Sequence, residues 1–350
     1  MTSARAFLVR AIIVTTAILA ASPGFAHAAD DAPDLAQFEA QRRERLASFE
    51  FACDYDYKTA VFDSLEDANQ HAGSQQRKLD DVPISASGFV AKRGENYRFS
   101  AAHDFHKQGD YVLSTGVDCD RALNNVLDAA FFPPVPDQGG AESLGVLKPT
   151  ARGDVLAVLP ELALESPLAL ETRPLDSLPA QYGAVKLSLH KAERIGDDQA
   201  RFTFVGDSPR GKCVKSVLIR IISSSKSAVQ KIETKFYNAS GTKVVDAVLE
   251  TAEDWIDVQG VPAPARIRRV TANNKGPDGR YRYFVAEWST RNLGKRRPNK
   301  FDFIINIKDG KDVDDPANDP ENGIVDLASA TAKDVARESI VFRNGQRASK

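Results

Sequence analysis

The residue types best suited to metal chemistry occur at His103, His106 and Cys119. Imidazole nitrogen and thiolate sulfur are typical zinc ligands, and such groups bind one ion when the fold brings them together. In an extended segment, however, His103 and His106 point to opposite faces, because side chains alternate and these two are three positions apart. An exposed polar turn is the simpler interpretation, and we predict no metal site.

A second group of candidate ligands is the acidic stretch that contains Asp312, Asp314, Asp315 and Asp319. Carboxylate oxygens are preferred ligands of Ca²⁺. The ordered spacing of an EF-hand loop is missing, and Pro316 interrupts the stretch. We therefore interpret it as a solvated acidic turn.

Groups for nucleophilic catalysis or phosphate binding occur only as fragments of the known motifs. The serines at 223–225 lack a G-x-S-x-G context. The segment 206–212 lacks the P-loop form, and a predicted strand follows it rather than a helix. We therefore predict a non-enzymatic protein without a cofactor, and keep a hydrolase of unrecognised type as the second alternative.

The three cysteines, Cys53, Cys119 and Cys213, leave the redox state open. One disulfide with one odd thiol is compatible with an oxidising compartment. Three reduced thiols, buried as small apolar groups, are the alternative. Three pairings are possible, and the sequence does not choose among them.

The strongest local charge feature is the run Lys295, Arg296 and Arg297, in a loop between predicted strands. A solvated hairpin end is the simplest interpretation. The alternative is contact with an anionic envelope surface, such as lipid headgroups or acidic polysaccharide, which would be sensitive to salt. The chain as a whole carries a formal net charge of −2 with both signs mixed, which argues against a nucleic-acid partner.

Residues 1–28 have the pattern of an export signal. Arg5 and Arg10 precede an apolar run that Pro23 ends, and an A-x-A site predicts cleavage between Ala28 and Ala29. We expect the mature protein to be periplasmic or secreted. No later apolar run has the length of a transmembrane helix, so we expect a protein that does not span the membrane.

Hydrophobic periodicity predicts a helix over residues 34–51 and a strand that begins near Cys53. A hairpin is predicted around the turn Gly94-Glu95. From Tyr182 onward, about six hairpin-linked strands follow one another, which predicts an antiparallel meander. The strands predicted in this part of the chain, the hairpin-linked ones included, are residues 185–194, 201–205, 213–222, 228–237, 243–252, 265–273, 280–291 and 301–307.

Three other segments are interpreted as helical or irregular. Asp118 or Asp120 could cap a short helix that runs to Leu127, and the Pro- and Gly-rich residues 135–149 predict irregular structure. The Pro-rich residues 131–180 are interpreted as a helical insertion.

This order of elements resembles that of the periplasmic lipoprotein-carrier family. The segments that carry the resemblance are residues 94–99, 261–267 and 301–314. The resemblance implies an incomplete β-barrel whose open side is covered by helices, with an apolar surface for a lipidated cargo. The insertion over residues 131–180 departs from the family pattern.

We therefore predict an α+β fold, mostly antiparallel β, in which a curved incomplete β-barrel carries helices on its open side. Residues 29–315 would form a single β-rich domain, and residues 316–350 an acidic, partly helical tail.

The predicted function is binding of a hydrophobic ligand in the cell envelope: a lipid, an acyl chain or a lipidated partner. The first alternative is a structural or interaction protein of the envelope with a filled β core. Period-two alternation selects the candidate ligand-binding side chains. They are Phe202, Phe204, Ile219, Ile221, Phe236, Phe284 and Phe303.

Overall fold

The computed structural model describes most of the chain after residue 32. The described residues are 33–62, 85–103, 106–108, 111–113, 119–134, 142–150, 167–178, 183–223, 226–238, 240–275, 281–311, 318–327, 329 and 339–348. The predicted export signal at 1–28 lies outside these ranges, as do the acidic residues at 312–317.

Strands dominate the described residues, with one α-helix and two short 3-10 helices. The α-helix is α1 (Leu35–Ser48), and the 3-10 helices are Lys300–Phe303 and Pro320–Asn322. The strands are β1 (Phe51–Phe62), β2 (Ser85–Arg93), β3 (Asn96–His103), β4 (His106–Gln108), β5 (Tyr111–Leu113), β6 (Cys119–Leu123), β7 (Leu127–Phe132), β8 (Leu144–Pro149), β9 (Ser188–Arg194), β10 (Gln199–Ser208), β11 (Gly211–Ser223), β12 (Lys226–Tyr237), β13 (Val244–Val258), β14 (Val261–Lys275), β15 (Tyr281–Thr290), β16 (Ile304–Asn306), β17 (Ile324–Asp326), β18 (Ile340–Arg343) and β19 (Gln346–Arg347).

The strands β9 to β15 pair in sequence order as an antiparallel meander, which confirms the hairpins predicted over residues 185–291. The strand predicted over residues 301–307 is only partly correct, because Lys300–Phe303 is a 3-10 helix and β16 (Ile304–Asn306) pairs with β17 in a separate two-stranded sheet. Strand β15 then pairs with β1, which brings the N-terminal hairpins into the same sheet. The resulting 15-stranded sheet runs in the order β19-β18-β8-β7-β6-β3-β2-β1-β15-β14-β13-β12-β11-β10-β9. Strands β9 and β19 are its two edges, so the sheet is not closed into a barrel.

Helix α1 confirms the helix predicted over residues 34–51. The Asp34 side chain caps it by accepting a 2.8 Å hydrogen bond from the backbone N–H of Ala36. Phe38 and Leu46 are buried on the side that faces the sheet, whereas Arg43 and Glu44 between them are exposed. The helix is therefore held by packing on the sheet as well as by its own hydrogen bonds.

The helix predicted from Asp120 to Leu127 is wrong, because these residues form the β6–β7 hairpin. Asp120 does not cap a helix; it accepts hydrogen bonds of 3.0 and 2.7 Å from Arg98 on β3. Arg121 pairs in the same way with Asp128 across the hairpin, at 2.8 and 2.9 Å. Asp120, which was interpreted as a possible helix cap, and its neighbour Arg121 are therefore cross-strand partners.

Within residues 135–149, which were predicted to be irregular, Leu144–Pro149 forms strand β8 between β7 and β18, and residues 135–141 lie outside the described ranges. The described part of the insertion predicted at 131–180 thus contributes a strand to the main sheet. Its residues 167–178 form turns rather than a regular helix.

Two apolar clusters lie on opposite faces of the sheet where β1 and β2 cross it. Cys53 and Val90 belong to the larger cluster, under α1. Their neighbours Ala52 and Ala91 belong to the second, which also contains Phe303. Because successive side chains on a strand point to opposite faces, each of these strands supplies both clusters.

Candidate functional site

Residues 167–178, called the cover segment below, lie over the larger apolar cluster. Leu168, Leu170, Leu175 and Leu178 are buried in that cluster together with side chains of β10, β11 and β12. The backbone N–H of Leu178 donates a 2.9 Å hydrogen bond to the carbonyl oxygen of Val185, just before β9. The cover segment is thus anchored beside the edge strand of the meander.

Polar contacts join helix α1, the cover segment and the sheet. Arg42 Nη1 donates hydrogen bonds of 2.7 Å to the carbonyl oxygens of Glu171 and Arg173 in the cover segment. The Arg45 guanidinium lies 3.5 Å from the Glu171 carboxylate. That carboxylate also accepts a 3.0 Å hydrogen bond from the backbone N–H of Val229 in β12. Burial raises the pKa of Glu171, while the charge of Arg45 acts in the opposite direction.

Lys215 on β11 is a buried cation beneath the cover segment. Its side chain is oriented toward the segment, and Nζ donates hydrogen bonds to the carbonyl oxygens of Pro174 and, at 2.9 Å, Ser177. Only 4% of the residue surface is exposed. Burial lowers the pKa of Lys215 to about 8, and the nearby charge of Glu250 opposes that shift.

Lys92 on β2 makes the equivalent connection to helix α1. Its Nζ donates hydrogen bonds of 3.2 and 3.0 Å to the carbonyl oxygens of Ala47 and Phe49, at the end of the helix. A cation at this end also interacts favourably with the helix dipole. Burial lowers the pKa of Lys92 to about 8. Both elements that cover the sheet are therefore fixed by a buried lysine.

Glu250 on β13 carries the negative charge of the same region. Arg269 on β14 donates hydrogen bonds of 3.0 and 2.5 Å to Glu250 Oε1, and Arg173 from the cover segment lies 3.1 Å away. Burial acts to raise the pKa of this carboxyl group, but the two guanidinium groups outweigh it, and the net effect lowers the pKa. Glu250 is therefore a carboxylate at neutral pH.

A cavity of about 220 Å³ lies between the cover segment and the sheet. Its apolar wall is formed mainly by Leu178, Ile232 and Val248. Three cations and one carboxylate face the cavity, so the charged wall carries a net positive charge that suits an anionic group. The charged residues are Lys215, Glu250, Arg269 and Arg173.

The structure brings together five of the seven side chains predicted to bind a ligand. Phe202, Phe204, Ile219 and Phe236 are at most 1% exposed and belong to the larger cluster, and Ile221 packs against it. None of these five is among the described residues that line the cavity; they pack in the apolar cluster beside it.

The other two predicted residues lie elsewhere. Phe303 is buried in the second cluster, on the opposite face of the sheet. Phe284 is half-buried on β15 and pairs with the cavity-lining Thr271, so it lies on the same face of the sheet as the cavity, although it is not a member of the clusters seen among the described residues. Residue type and alternation alone did not tell that Phe303 would pack against the opposite face.

The three residues of the predicted basic surface have different roles in the structure. Arg296 donates hydrogen bonds of 2.7 and 2.8 Å to Asp302, and its guanidinium carbon lies 5.4 Å from the ring centre of Phe89. Lys295 and Arg297 are exposed. Arg296 therefore supports the loop, while its two neighbours face solvent.

All three cysteines are free thiols, with Cys53 and Cys213 buried. Among the residues that the structure describes, no group of three or more His, Cys, Asp or Glu side chains could hold a metal ion. The side chains of His103 and His106 are not among those described. No helix in the described ranges is long and apolar enough to cross a membrane.

Three charged residues of the cavity were not predicted from the sequence: Lys215, Glu250 and Arg269. For Lys215 and Glu250 the position in the strand pattern was a usable signal. Lys215 lies between Cys213 and Val217, in the apolar phase of β11, where a lysine is unexpected. Glu250 occupies the same phase as the buried Ala252 on β13. Charged residues in the inward phase of neighbouring strands would have indicated a polar cavity inside an apolar face.

The chain matches no protein-family model, no curated protein and no solved structure.

Proposed function

We propose that this protein is an exported, non-enzymatic binding protein of the cell envelope that takes a hydrophobic ligand between the cover segment and the sheet. The ligand would be a lipid, an acyl chain or the acyl group of a lipidated partner. The observation that carries the proposal is the cavity of about 220 Å³ beneath the cover segment, with one apolar wall and one cationic wall.

The apolar wall supports binding of a hydrocarbon chain. Ile232 and Leu178 line the cavity and are also members of the larger apolar cluster. A chain that enters there meets the side chains of the core rather than an isolated surface groove. Burial of apolar area contributes about 25 cal/mol per Å², which provides the driving force without covalent chemistry.

The charged wall supports an anionic end group on the same ligand. Lys215 on β11 and Arg269 on β14 line the cavity on either side of Glu250 on β13, and Arg173 adds a third cation from the cover segment. A carboxylate or phosphate placed there would accept hydrogen bonds from fixed cationic donors. We therefore favour an acidic amphiphile over a neutral hydrocarbon.

The size of the cavity indicates that the cover segment moves when a full-length ligand binds. Small-molecule pockets usually measure about 300–1,000 Å³, which exceeds the space found here. The contacts that Lys215 and Arg42 make with the segment are hydrogen bonds to backbone carbonyl oxygens. Such contacts can be exchanged with water or with ligand groups as the segment lifts.

A pair of variants on one strand tests this function. Val248 is 7% exposed and lines the cavity, whereas Val245 is 39% exposed on the same strand. We expect Val248→Trp to reduce binding of cis-parinaric acid, measured by fluorescence, because the indole occupies the cavity. Val245→Trp makes the same chemical change outside the cavity and should bind like the wild type.

Circular dichroism and the thermal midpoint would verify that Val248→Trp remains folded. Native mass spectrometry of the purified and then delipidated protein would show whether acyl species bind with defined stoichiometry. Equal probe binding by both variants, or the absence of any bound acyl species in the wild type, would contradict the proposal.

The filled-core alternative has its own support in the structure. Phe202, Phe204 and Phe236 are at most 1% exposed under α1 and the cover segment, so this part of the face is packed without a ligand. An envelope protein that acts only through its exterior would need no more than this. It predicts that cis-parinaric acid does not bind and that Val248→Trp changes stability alone.

A further inference from the structure

The loop between β15 and the 3-10 helix Lys300–Phe303 is a fixed platform. Arg296 is held by the bidentate ion pair with Asp302, and Asn299 and Asp302 form a reciprocal capping box. Leu293 and Pro298 are buried beneath it. The loop therefore presents its remaining side chains in a defined arrangement rather than as a flexible charge run.

Three cations and one aromatic ring point outward from this platform. Lys295, Arg297 and Lys300 are exposed, and none forms an ion pair with another residue that the structure describes. Phe301 is 53% exposed, and its ring centre lies 4.9 Å from Lys300 Nζ. We call these four residues the basic–aromatic patch.

The exposed phenylalanine distinguishes the patch from an ordinary solvated loop. Of the large apolar side chains exposed in the described part of the chain, Phe301 is the most exposed and the only aromatic one. The acidic residue next to it in sequence, Asp302, is already neutralised by Arg296. The positive charge of the patch is therefore not cancelled locally.

We infer that the basic–aromatic patch docks the protein on an anionic lipid bilayer. Lys295, Arg297 and Lys300 would contact acidic headgroups, and Phe301 would enter the boundary between headgroups and acyl chains. Basic residues beside an exposed aromatic side chain are the combination that binds such an interface. An acidic polysaccharide would satisfy the cations but would provide no apolar layer for the ring.

The patch is separate from the cavity under the cover segment, and the inference does not depend on the proposed ligand. A β-carbon at Gly294 would lie 3.4 Å from Val258, at the end of β13. Val244 begins the same strand at its other end and is 42% exposed. The two ends of β13 therefore offer a test surface and a control surface in one molecule.

Co-sedimentation of the full chain with vesicles tests the inference. One set of vesicles contains phosphatidylcholine alone, and the other contains equal parts of phosphatidylcholine and phosphatidylglycerol. We expect binding to the anionic vesicles that weakens as salt is raised. The apolar residues 11–21 are the same in every protein compared, so a difference between the two vesicle types reports on the charge of the lipid.

The charge test uses two triple variants with the same net charge. The patch variant is Lys295→Gln/Arg297→Gln/Lys300→Gln, and the control is Lys186→Gln/Lys212→Gln/Lys243→Gln, which removes exposed lysines elsewhere. We expect the patch variant to bind anionic vesicles roughly a hundredfold more weakly than the wild type. The control variant should stay within about threefold, since distant charges are screened.

The apolar test compares Phe301→Ser with Val244→Ser. We expect Phe301→Ser to weaken binding to anionic vesicles roughly fivefold, because the exposed half of the ring is lost from the interface. Val244→Ser should bind like the wild type. All four substituted proteins are checked by circular dichroism, and the salt dependence of the wild type provides a result that requires no variant.

Three results would overturn the inference. One is equal binding of the wild type to the two vesicle types. Another is an equal loss in the two triple variants, which would mean that net charge alone matters. The third is binding to a soluble acidic polysaccharide, such as polygalacturonate, that depends on the patch while vesicle binding does not.

Discussion

Replacement of Lys215 by methionine should change how the stability of the protein depends on pH. The lysine is buried under the cover segment, and burial lowers its pKa from the ordinary value of 10.5 to about 8. Below pH 8 the group is charged in both the folded and the unfolded chain, so the full penalty for burying the charge is present. Between pH 8 and 10.5 the folded protein has released this proton while the unfolded chain keeps it, and stability rises.

The size of the effect follows from the shift in pKa. One pKa unit corresponds to about 1.4 kcal/mol, so burial of the charged lysine opposes folding by about 3 kcal/mol at pH 7. Between pH 7 and pH 9 the folded protein loses this proton, which removes about 1 kcal/mol of the cost of burying the charge. Methionine has no proton to release. The free energy of unfolding of the wild type should therefore rise by about 1 kcal/mol relative to Lys215→Met over that interval.

Urea unfolding at pH 7, 8 and 9 would measure this difference. Lys212 is exposed on the same strand, so Lys212→Met is the matched control and should parallel the wild type. Lys92, with its pKa also lowered to about 8, titrates equally in all three proteins and cancels in the comparison. Parallel curves for the wild type and Lys215→Met would refute the view that Lys215 carries a buried charge.

Two further predictions concern packing and thiol reactivity. A β-carbon at Gly88 would lie 1.9 Å from the carbonyl oxygen of Ser100, so Gly88→Ala should destabilise the protein by roughly 3 kcal/mol in urea unfolding. At Gly94 the space around such a β-carbon is open, and Gly94→Ala should cost about 1 kcal/mol. Similar losses of stability in the two variants would contradict the close contact at Gly88. Burial raises the pKa of Cys53 to about 12 and of Cys213 to about 11, so both thiols should react with Ellman's reagent only on unfolding. Because Cys119 is partly exposed, the assay uses the variant Cys119→Ser, and rapid labelling of that native variant would disprove the prediction.

The meander was predictable because its strands are long and regular in their alternation. Strand β11, for example, places the buried Cys213, Val217 and Ile219 in one phase, and the other phase includes Lys212, Ser216 and Arg220. One face packs and the other meets solvent, so local pattern and tertiary environment agree. The position of α1 was predictable for a similar reason, since Phe38 and Leu46 mark a single buried side.

The failed helix at Asp120 shows where local pattern is insufficient. Its charged residues are satisfied by partners that are distant in sequence or across a turn, such as Arg98 for Asp120. The amide of Asn124 closes the turn, because its Oδ1 accepts hydrogen bonds of 2.8 Å from the N–H groups of Val126 and Leu127. Neither interaction is visible in a helical or alternating pattern of hydrophobic residues.

The candidate site was only partly predictable, because its chemistry depends on charges inside an apolar face. Phe202 and Phe204 were correctly assigned to one surface, but the same reasoning treated that surface as uniformly apolar. The charged residues of the cavity come from two central strands, β11 and β13, together with β14 and the cover segment. Their convergence depends on strand register, which aligns Glu250 with Arg269, and hydrophobic pattern does not specify register for polar pairs.

The buried charges also bear on the choice between a binding protein and a filled core. A core without a ligand would be more stable with an apolar side chain at position 215, since well-packed hydrophobic residues often equal or exceed buried ionic groups in stability. Lys215 instead connects the sheet to backbone carbonyl oxygens of the cover segment, at Pro174 and Ser177. Under the proposed function, a cation in this position would fix the cover segment when the cavity is empty and would be available to an acidic ligand when the segment lifts. The same side chain would then serve closure and recognition, a reason for its presence that packing alone does not supply.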